Sequence, residues 1–190
     1  NRGKVSVDKN TIKGYQELDN NVKVYLYMES DRMPAETMTV GEGSVDTAVK
    51  DAEGRNACVG MRFNSGDSVI NIRYGISFIS TEQAEKNLRR EISNYNVDSV
   101  ADAARNIWNE TLGKIEVDGM DDNDKAIFYT SLYRTHERPV CLSEDGRYFS
   151  ASDGQVHDDN GNAFYTDDWI WDTYRAAHPL RILIAPDVET

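Results

Sequence analysis

The sequence predicts an α+β chain whose strands and helices are segregated. Three observations predict it: a two-residue alternation of apolar and polar side chains in residues 11–79, a switch to 3.6-residue spacing from Ser80 onward, and the lack of a strand–helix–strand rhythm. The 190 residues, 39% of them hydrophobic, suffice to bury the core of one domain or parts of two. The pattern divides the chain into two segregated modules, a β module at 1–79 and a helical portion at 121–190, with the boundary among the helices between residues 80 and 120.

In the β module, Val22, Val24, Leu26 and Met28 alternate with Lys23, Tyr25, Tyr27 and Glu29, as a half-buried strand requires. Residues 56–63 and 68–79 repeat the signal on either side of an Asn-Ser-Gly-Asp turn at 64–67. At Ser80 the character changes. Ser80 and Gln83 fit a capping box, in which the hydroxyl accepts the third helical amide and the glutamine reaches back. The helix expected over 81–93 is highly charged, and its narrow stripe of Ala84, Leu88 and Ile92 suits a surface position between modules.

A second helix, starting near Asp98, carries Val100, Ala104, Ile107, Trp108, Leu112 and Ile115, a stripe wide enough to dock firmly, with Trp108 in the core. A third follows Asp121, Asp122 and Asp124, acids suited to a helix N-terminus, and puts Ile127, Phe128, Leu132 and Tyr133 on its inner side. Beyond Pro139 come turns at Glu144-Asp145-Gly146 and a hairpin turn at Asn160-Gly161. Helical character returns at Trp171, with a short turn through Tyr174 to Ala177 and a helix beginning near His178-Pro179.

A formal charge of −12 disfavours nucleic acid as a partner, since phosphate binding needs clustered Lys and Arg. The acidity reads either as a solubilised surface or as a local carboxylate-rich site for a neutral polyol or a cation. Cys58 and Cys141 lack a metal-ligand pattern and are expected as buried thiols, with a disulfide left open. The longest apolar stretches fall far short of the roughly 20 residues that span a bilayer. No signal peptide is visible, and a chain opening at Asn1 is compatible with a removed leader, so the N-terminus leaves the compartment open.

The stretch richest in chemistry is 165–179, where Asp167, Asp168, Trp169, Trp171, Asp172, Tyr174, Arg175 and His178 crowd together. Sugars suit such a mixture: aromatic faces pack on C–H surfaces while carboxylates and guanidinium groups bond hydroxyl pairs. The alternative is structural, with Trp169 and Trp171 anchoring a helix start, Asp172 capping it ahead of Thr173, and Arg175 paired with an aspartate. His136 and His178 are expected in structural roles, and Arg134 and Arg138 suit a helix C-terminus. The run Asp158-Asp159-Asn160-Gly161-Asn162 lacks the alternating ligands and distal Glu of a calcium loop.

Ile76-Ser77-Phe78-Ile79-Ser80, followed by Glu82, Ala84, Asn87, Leu88 and Glu91, and then Trp108-Asn109-Glu110 with Leu112, resemble the linker of glycoside hydrolase family 92, a family of bacterial exo-acting α-mannosidases. The segments 128–135 (Phe-Tyr-Thr-Ser-Leu-Tyr-Arg-Thr), 145–148 (Asp-Gly-Arg-Tyr) and 171–180 (Trp-Asp-Thr-Tyr-Arg-Ala-Ala-His-Pro-Leu) resemble that family's successive barrel motifs. The likeness covers roughly residues 60–186 in order; residues 1–60 match loosely. It implies that 1–79 is the end of an N-terminal β-sandwich and that 121–190 begins an (α/α)6 catalytic barrel. It further implies calcium dependence and inverting hydrolysis of terminal α-linked mannose, with α-1,2 placed first among linkages.

By the same resemblance Asp172 is the first choice for binding hydroxyls of the terminal mannose, with Trp171 and Arg175 behind it. The family's Asn-Glu-Pro-x-His-His and late Gly-Asn-x-Asp stretches, associated with the distal sugar, calcium and the base, do not occur in these residues. No general acid, base or calcium ligand is therefore assigned here, and the 190 residues alone are expected to be inactive. The implied partners are mannose-containing glycans and the remainder of the chain's own catalytic domain, and the implied location is periplasmic or extracellular. A second reading is a non-catalytic carbohydrate-binding or scaffold module of a glycan-utilisation protein. A third is a sandwich-plus-barrel enzyme acting on another glycosidic bond.

Overall fold

A computed structural model describes residues 2–19, 22–41, 44–66 and 68–189. The strands are β1 (Gly3–Asp8), β2 (Thr11–Glu17), β3 (Lys23–Ser30), β4 (Glu36–Gly41), β5 (Ser44–Asp46), β6 (Asp51–Gly54), β7 (Cys58–Arg62) and β8 (Ile72–Ser77). There follow α1 (Thr81–Glu91), α2 (Val97–Leu112), α3 (Asp122–Arg134), β9 (Val140–Cys141), β10 (Arg147–Ser150), β11 (Gln155–Asp158), β12 (Tyr165–Thr166), α4 (Ile170–Thr173), α5 (Ala177–Ile184) and α6 (Pro186–Glu189). Strands β1–β8 precede the helices, as expected, while the short strands β9–β12 follow α3. The chain forms two compact units, one of residues 1–95 with 143–162 and one of residues 96–142 with 163–190. This division falls elsewhere than residues 79 and 120, because α1 packs on β3 and β8, and Glu144, Asp145 and Arg147 at the start of the β10–β11 hairpin bond to α1.

In the first unit an antiparallel five-stranded sheet runs β6-β1-β2-β3-β8 and a three-stranded sheet runs β5-β4-β7. Strand β1 lies ahead of the predicted β region; it pairs with β2 in a register that sets Val7 opposite Ile12. Val7 and Ala52 are buried where β1 and β6 pack against β4, and Ile12 of β2 is buried beside Val7. The 64–67 turn is present at Ser65-Gly66, while Asp67 lies outside the described residues.

On β8 the alternation runs opposite to simple expectation: Ile72, Tyr74 and Ile76 are exposed, whereas Arg73, Gly75 and Ser77 turn toward α1. Helix α1 is therefore not a surface linker. Ala84 and Leu88 are 0% and 1% exposed, and burying a leucine this fully stabilises by about 1.5–3 kcal/mol. The close approach depends on Gly75: a Cβ there would lie 2.3 Å from the Ala84 carbonyl oxygen and 2.9 Å from Leu88 Cβ.

Half of the predicted capping box forms. Ser80 Oγ accepts the Gln83 amide at 3.1 Å, but the Gln83 side chain does not reach back. It is buried, donating to Asn87 Oδ1 (3.1 Å) and Asp145 Oδ2 (2.7 Å) and accepting from Arg147 (3.1 Å). Glu144 completes this join: it accepts the Phe78 amide (2.9 Å) and Asn87 Nδ2 (2.6 Å). Asp145 and Gly146, both at positive φ, make the tight turn that presents Glu144 to α1.

Glu29, expected on the polar side of β3, is 8% exposed. Arg73 Nε donates to it at 2.8 Å and Arg89 grips both oxygens, at 2.5 and 3.1 Å. Burial pushes the Glu29 carboxyl up, but the hydrogen bonds and charges of the two arginines outweigh it and hold the group below the usual carboxylate range.

In the second unit, Asn96 caps α2 by accepting the Asp98 and Ser99 amides, and Asp121 caps α3 by accepting the Asp124 amide at 2.9 Å. The apolar stripe of α2 does not dock as a core: among the described residues none of this helix is buried, and Ile107 is exposed. Trp108 is half-buried, its ring 4.5 Å from Tyr133 and edge-on to His136 at 6.1 Å. On α3 only Leu132 is buried, and Ile127 faces outward. The Asn160-Gly161 turn forms at positive φ, closed by Asn162 N to Asp159 O at 2.9 Å, but it joins β11 and β12, which belong to different sheets.

Cys58 and Cys141 are free and exposed, contrary to the expectation of buried thiols. Cys58 opens the edge strand β7, and Cys141 ends the two-residue β9, so neither sits in a packed layer. Among the described residues no helix is long and apolar enough to cross a membrane.

Candidate functional site

The crowded stretch 165–179 lies wholly in the second unit. After β12 the backbone enters the left-handed region at Asp167 (φ 65°), a conformation that costs a non-glycine residue free energy and needs side-chain fixings to persist. Asp167 has them: it accepts Trp169 Nε1 at 3.1 Å and faces Arg138 Nε at 3.3 Å. The Arg138 guanidinium in turn lies over the Trp169 ring, 5.2 Å from its centroid.

Asp172 is not the helix cap that its place before Thr173 suggested. Helix α4 is a single turn whose N-cap position is Trp169, without a side-chain cap among the described residues, and Asp172 is its third residue. Its amide bonds Trp169 O at 2.8 Å, and its exposed carboxylate borders a recess of about 360 Å³. Trp169, Thr173, Arg134, Arg138 and Arg181 share that recess.

Trp171 and Arg175 gather elsewhere, on either side of Tyr174. Trp171 is 87% exposed and meets Tyr174 edge-on at 6.4 Å. Arg175 donates through Nε to Tyr174 Oη at 2.8 Å rather than pairing with an aspartate, and its guanidinium lies 5.6 Å from that ring. The three predicted site residues therefore divide into Asp172 at the recess and Trp171 with Arg175 around Tyr174.

Behind α4, His178 turns inward, in keeping with its expected structural role: Nε2 lies 2.8 Å from Asp168 Oδ2 and 3.0 Å from Thr173 Oγ1, and Nδ1 meets Glu189. Arg181, only 7% exposed, donates through Nη2 to the carbonyls of Thr135 and Arg138 and lies within 4.0 Å of Asp168 and Glu189. Arg181 and Glu189 carried no signal in the sequence, since their partners stand 46 and 11 residues away. Among the described residues no cluster of three or more His, Cys, Asp or Glu side chains could hold a metal ion.

An exposed carboxylate, an indole and guanidinium groups around one recess have the chemistry to hold a polyol ring. Comparison with known proteins supplies the class. Among solved structures the chain is similar to a family 92 inverting mannosidase of Bacteroides thetaiotaomicron, with 32% identity and a TM-score of 0.83 over 95% of this chain and 26% of that one. It shares its fold with a family 92 α-mannosidase of the same organism, at 24% identity and a TM-score of 0.88 over 98% of this chain and 27% of that one. It is also 34% identical over 94 residues, 43% of this chain and 12% of the other protein, to an uncharacterized secreted glycosidase of Arthroderma benhamiae.

The family follows from the model of the glycosyl hydrolase family 92 catalytic domain, which matches residues 83–190. The chain belongs to glycosyl hydrolase family 92, as its motifs implied. It spans 26–27% of the length of these solved relatives.

Proposed function

We propose that the chain is a segment of an inverting exo-α-mannosidase, covering the end of a β-sandwich, the linker and the first part of an (α/α)6 barrel. In this reading Asp172 accepts hydrogen bonds from two hydroxyls of the terminal mannose, with Trp171 and Arg175 behind it as further substrate-binding residues. The observation that carries it is the family 92 catalytic match over 83–190 together with an exposed Asp172 carboxylate at a recess lined by Trp169, Arg138 and Thr173. Inversion needs a carboxylic acid for the leaving oxygen and a carboxylate to activate water, with roughly 6.5–9.5 Å between them. Both, like the calcium ligands, are assigned to parts of the protein outside these residues. The α-1,2 linkage is placed first among substrates, and the likeness to a secreted glycosidase supports action in the periplasm or outside the cell.

The test is mannose release from α-linked mannobioses by the full-length gene product, with and without a calcium chelator, beside Asp172→Asn. Two charge-assisted hydrogen bonds at about 1.5–3 kcal/mol each predict a loss of roughly 10²- to 10⁴-fold in kcat/KM. Chelator-sensitive release that collapses in the variant supports the reading. Full activity in the variant removes Asp172 from the site, and no release from any linkage by folded protein favours a carbohydrate-binding module instead.

A further inference from the structure

We propose that Asp168 and Thr173 are positioning residues that hold Asp172 in place for the sugar, an inference that rests on the reading of Asp172 given above. A helix of four residues does not stand by itself, because one turn is the costly nucleus of a helix without the propagation that repays it. Helix α4 is such a turn. Among the described residues it has no side-chain N-cap and buries none of its own residues. Its orientation, and with it the direction of Asp172, must come from outside the turn.

The structure supplies a fastening at each end. Asp168 precedes the turn and Thr173 closes it, and Thr173 Oγ1 lies 3.2 Å from Asp168 Oδ1 and 3.0 Å from Trp169 O, so the two ends are clipped to each other. Both then converge on one imidazole, His178 Nε2, at 2.8 Å from Asp168 Oδ2 and 3.0 Å from Thr173 Oγ1. His178 stands on α5 and its Nδ1 meets Glu189 of α6. Arg181, one helical turn after His178, is buried and anchors to the Thr135 and Arg138 carbonyls at the end of α3. The clip therefore runs from α4 through His178 to a buried arginine fixed on another element, while the Asp172 carboxylate stays exposed on the recess side. A ligand-binding group must keep its place to within roughly 0.5 Å, and supporting groups of this kind change affinity by about 10- to 100-fold when removed.

The experiment uses the full-length gene product with calcium present and mannobiose as substrate, comparing Thr173→Val, Thr173→Ser, Asp168→Asn, Asp172→Asn and the double variant Thr173→Val/Asp172→Asn. Valine keeps the shape of threonine and removes the hydroxyl; serine keeps the hydroxyl. The expected result is a KM raised by about tenfold or more in Thr173→Val and Asp168→Asn with kcat held to within about threefold, and KM restored in Thr173→Ser. In the Asp172→Asn background, Thr173→Val should add nothing further, because its effect passes through the missing carboxylate. Unchanged KM in both single variants, while Asp172→Asn is impaired, overturns the proposal and leaves the reading of Asp172 standing. Additive losses in the double variant, or a serine variant as damaged as the valine one, reduce the clip to general stability and overturn it too. If Asp172→Asn has no effect, the reading and the proposal fall together.

Discussion

Replacing Gly75 by alanine would test whether α1 belongs to the β-unit core. In a strand interior alanine is ordinarily better than glycine by about 0.5–1 kcal/mol, so a free β8 would be stabilised by the change. Gly75 is not free. The new Cβ would stand 2.3 Å from Ala84 O, 2.9 Å from Leu88 N and 2.9 Å from Leu88 Cβ, and two of these are backbone atoms that cannot rotate away. Ordinary contact would require α1 to lift by roughly 1 Å. Overpacking of this kind costs about 1–3 kcal/mol, and rigid neighbours put it near the upper end. Net of the strand preference, the loss is about 2 kcal/mol, or roughly 4–8 °C in the thermal midpoint for a chain of this size. Gly60→Ala is the control, since its Cβ would meet only the flexible Met38 side chain, at 3.2 Å. Thermal unfolding followed by circular dichroism, with hydrogen exchange on the β8 and α1 amides, reads both. A Gly75→Ala protein as stable as its parent would refute the docking of α1 on this strand.

Two further outcomes follow from the same structure. Because the folded Glu29 carboxyl titrates below its ordinary value of 4.5, its contribution is complete above that value and is lost as pH falls through the folded pKa. Glu29→Gln should cost about 2–3 kcal/mol at neutral pH, discounted from the roughly 3–5 kcal/mol of breaking a fully buried pair because Arg89 is partly exposed, and should flatten the acid limb of stability in urea titrations. An unchanged acid limb would contradict the Arg73–Glu29–Arg89 network. Cys58 and Cys141, both free and exposed, should each react with an aromatic disulfide reagent in the native protein; reaction only after unfolding would contradict their placement.

Much of the fold was legible because its signals are local. Strand β3 and strand β8 announced themselves by alternation, α1 by the Ser80 cap and α3 by the acids at its start, since a cap and its amide lie within three residues of each other. What escaped depends on distant partners. Glu29 looked like a solvent-facing acid because the arginines that bury it lie 44 and 60 residues away. Gln83 looked like half of a capping box because the carboxylate that draws it inward, Asp145, is 62 residues further on. Strand β1 offered only Val5 and Val7 as an apolar alternation, too short a pattern to distinguish from a loop. At the candidate site, the residue types singled out one stretch, but which of them share a space could not be read. Asp172, Trp171 and Arg175 are neighbours in sequence, yet a helical turn sends them in different directions.

The β-unit is assembled from two separate passes of the chain, residues 1–95 and then 143–162, with the α2–α3 segment run between them. Glu144 and Gln83 make the second pass an integral part of α1's environment rather than an ornament. For that reason no single crossover in a gene could exchange this β-unit without carrying the α2–α3 segment with it. A recombinant inheriting only the first pass would leave Gln83 and Asn87 without the carboxylates they bond, so the two passes are constrained to descend together.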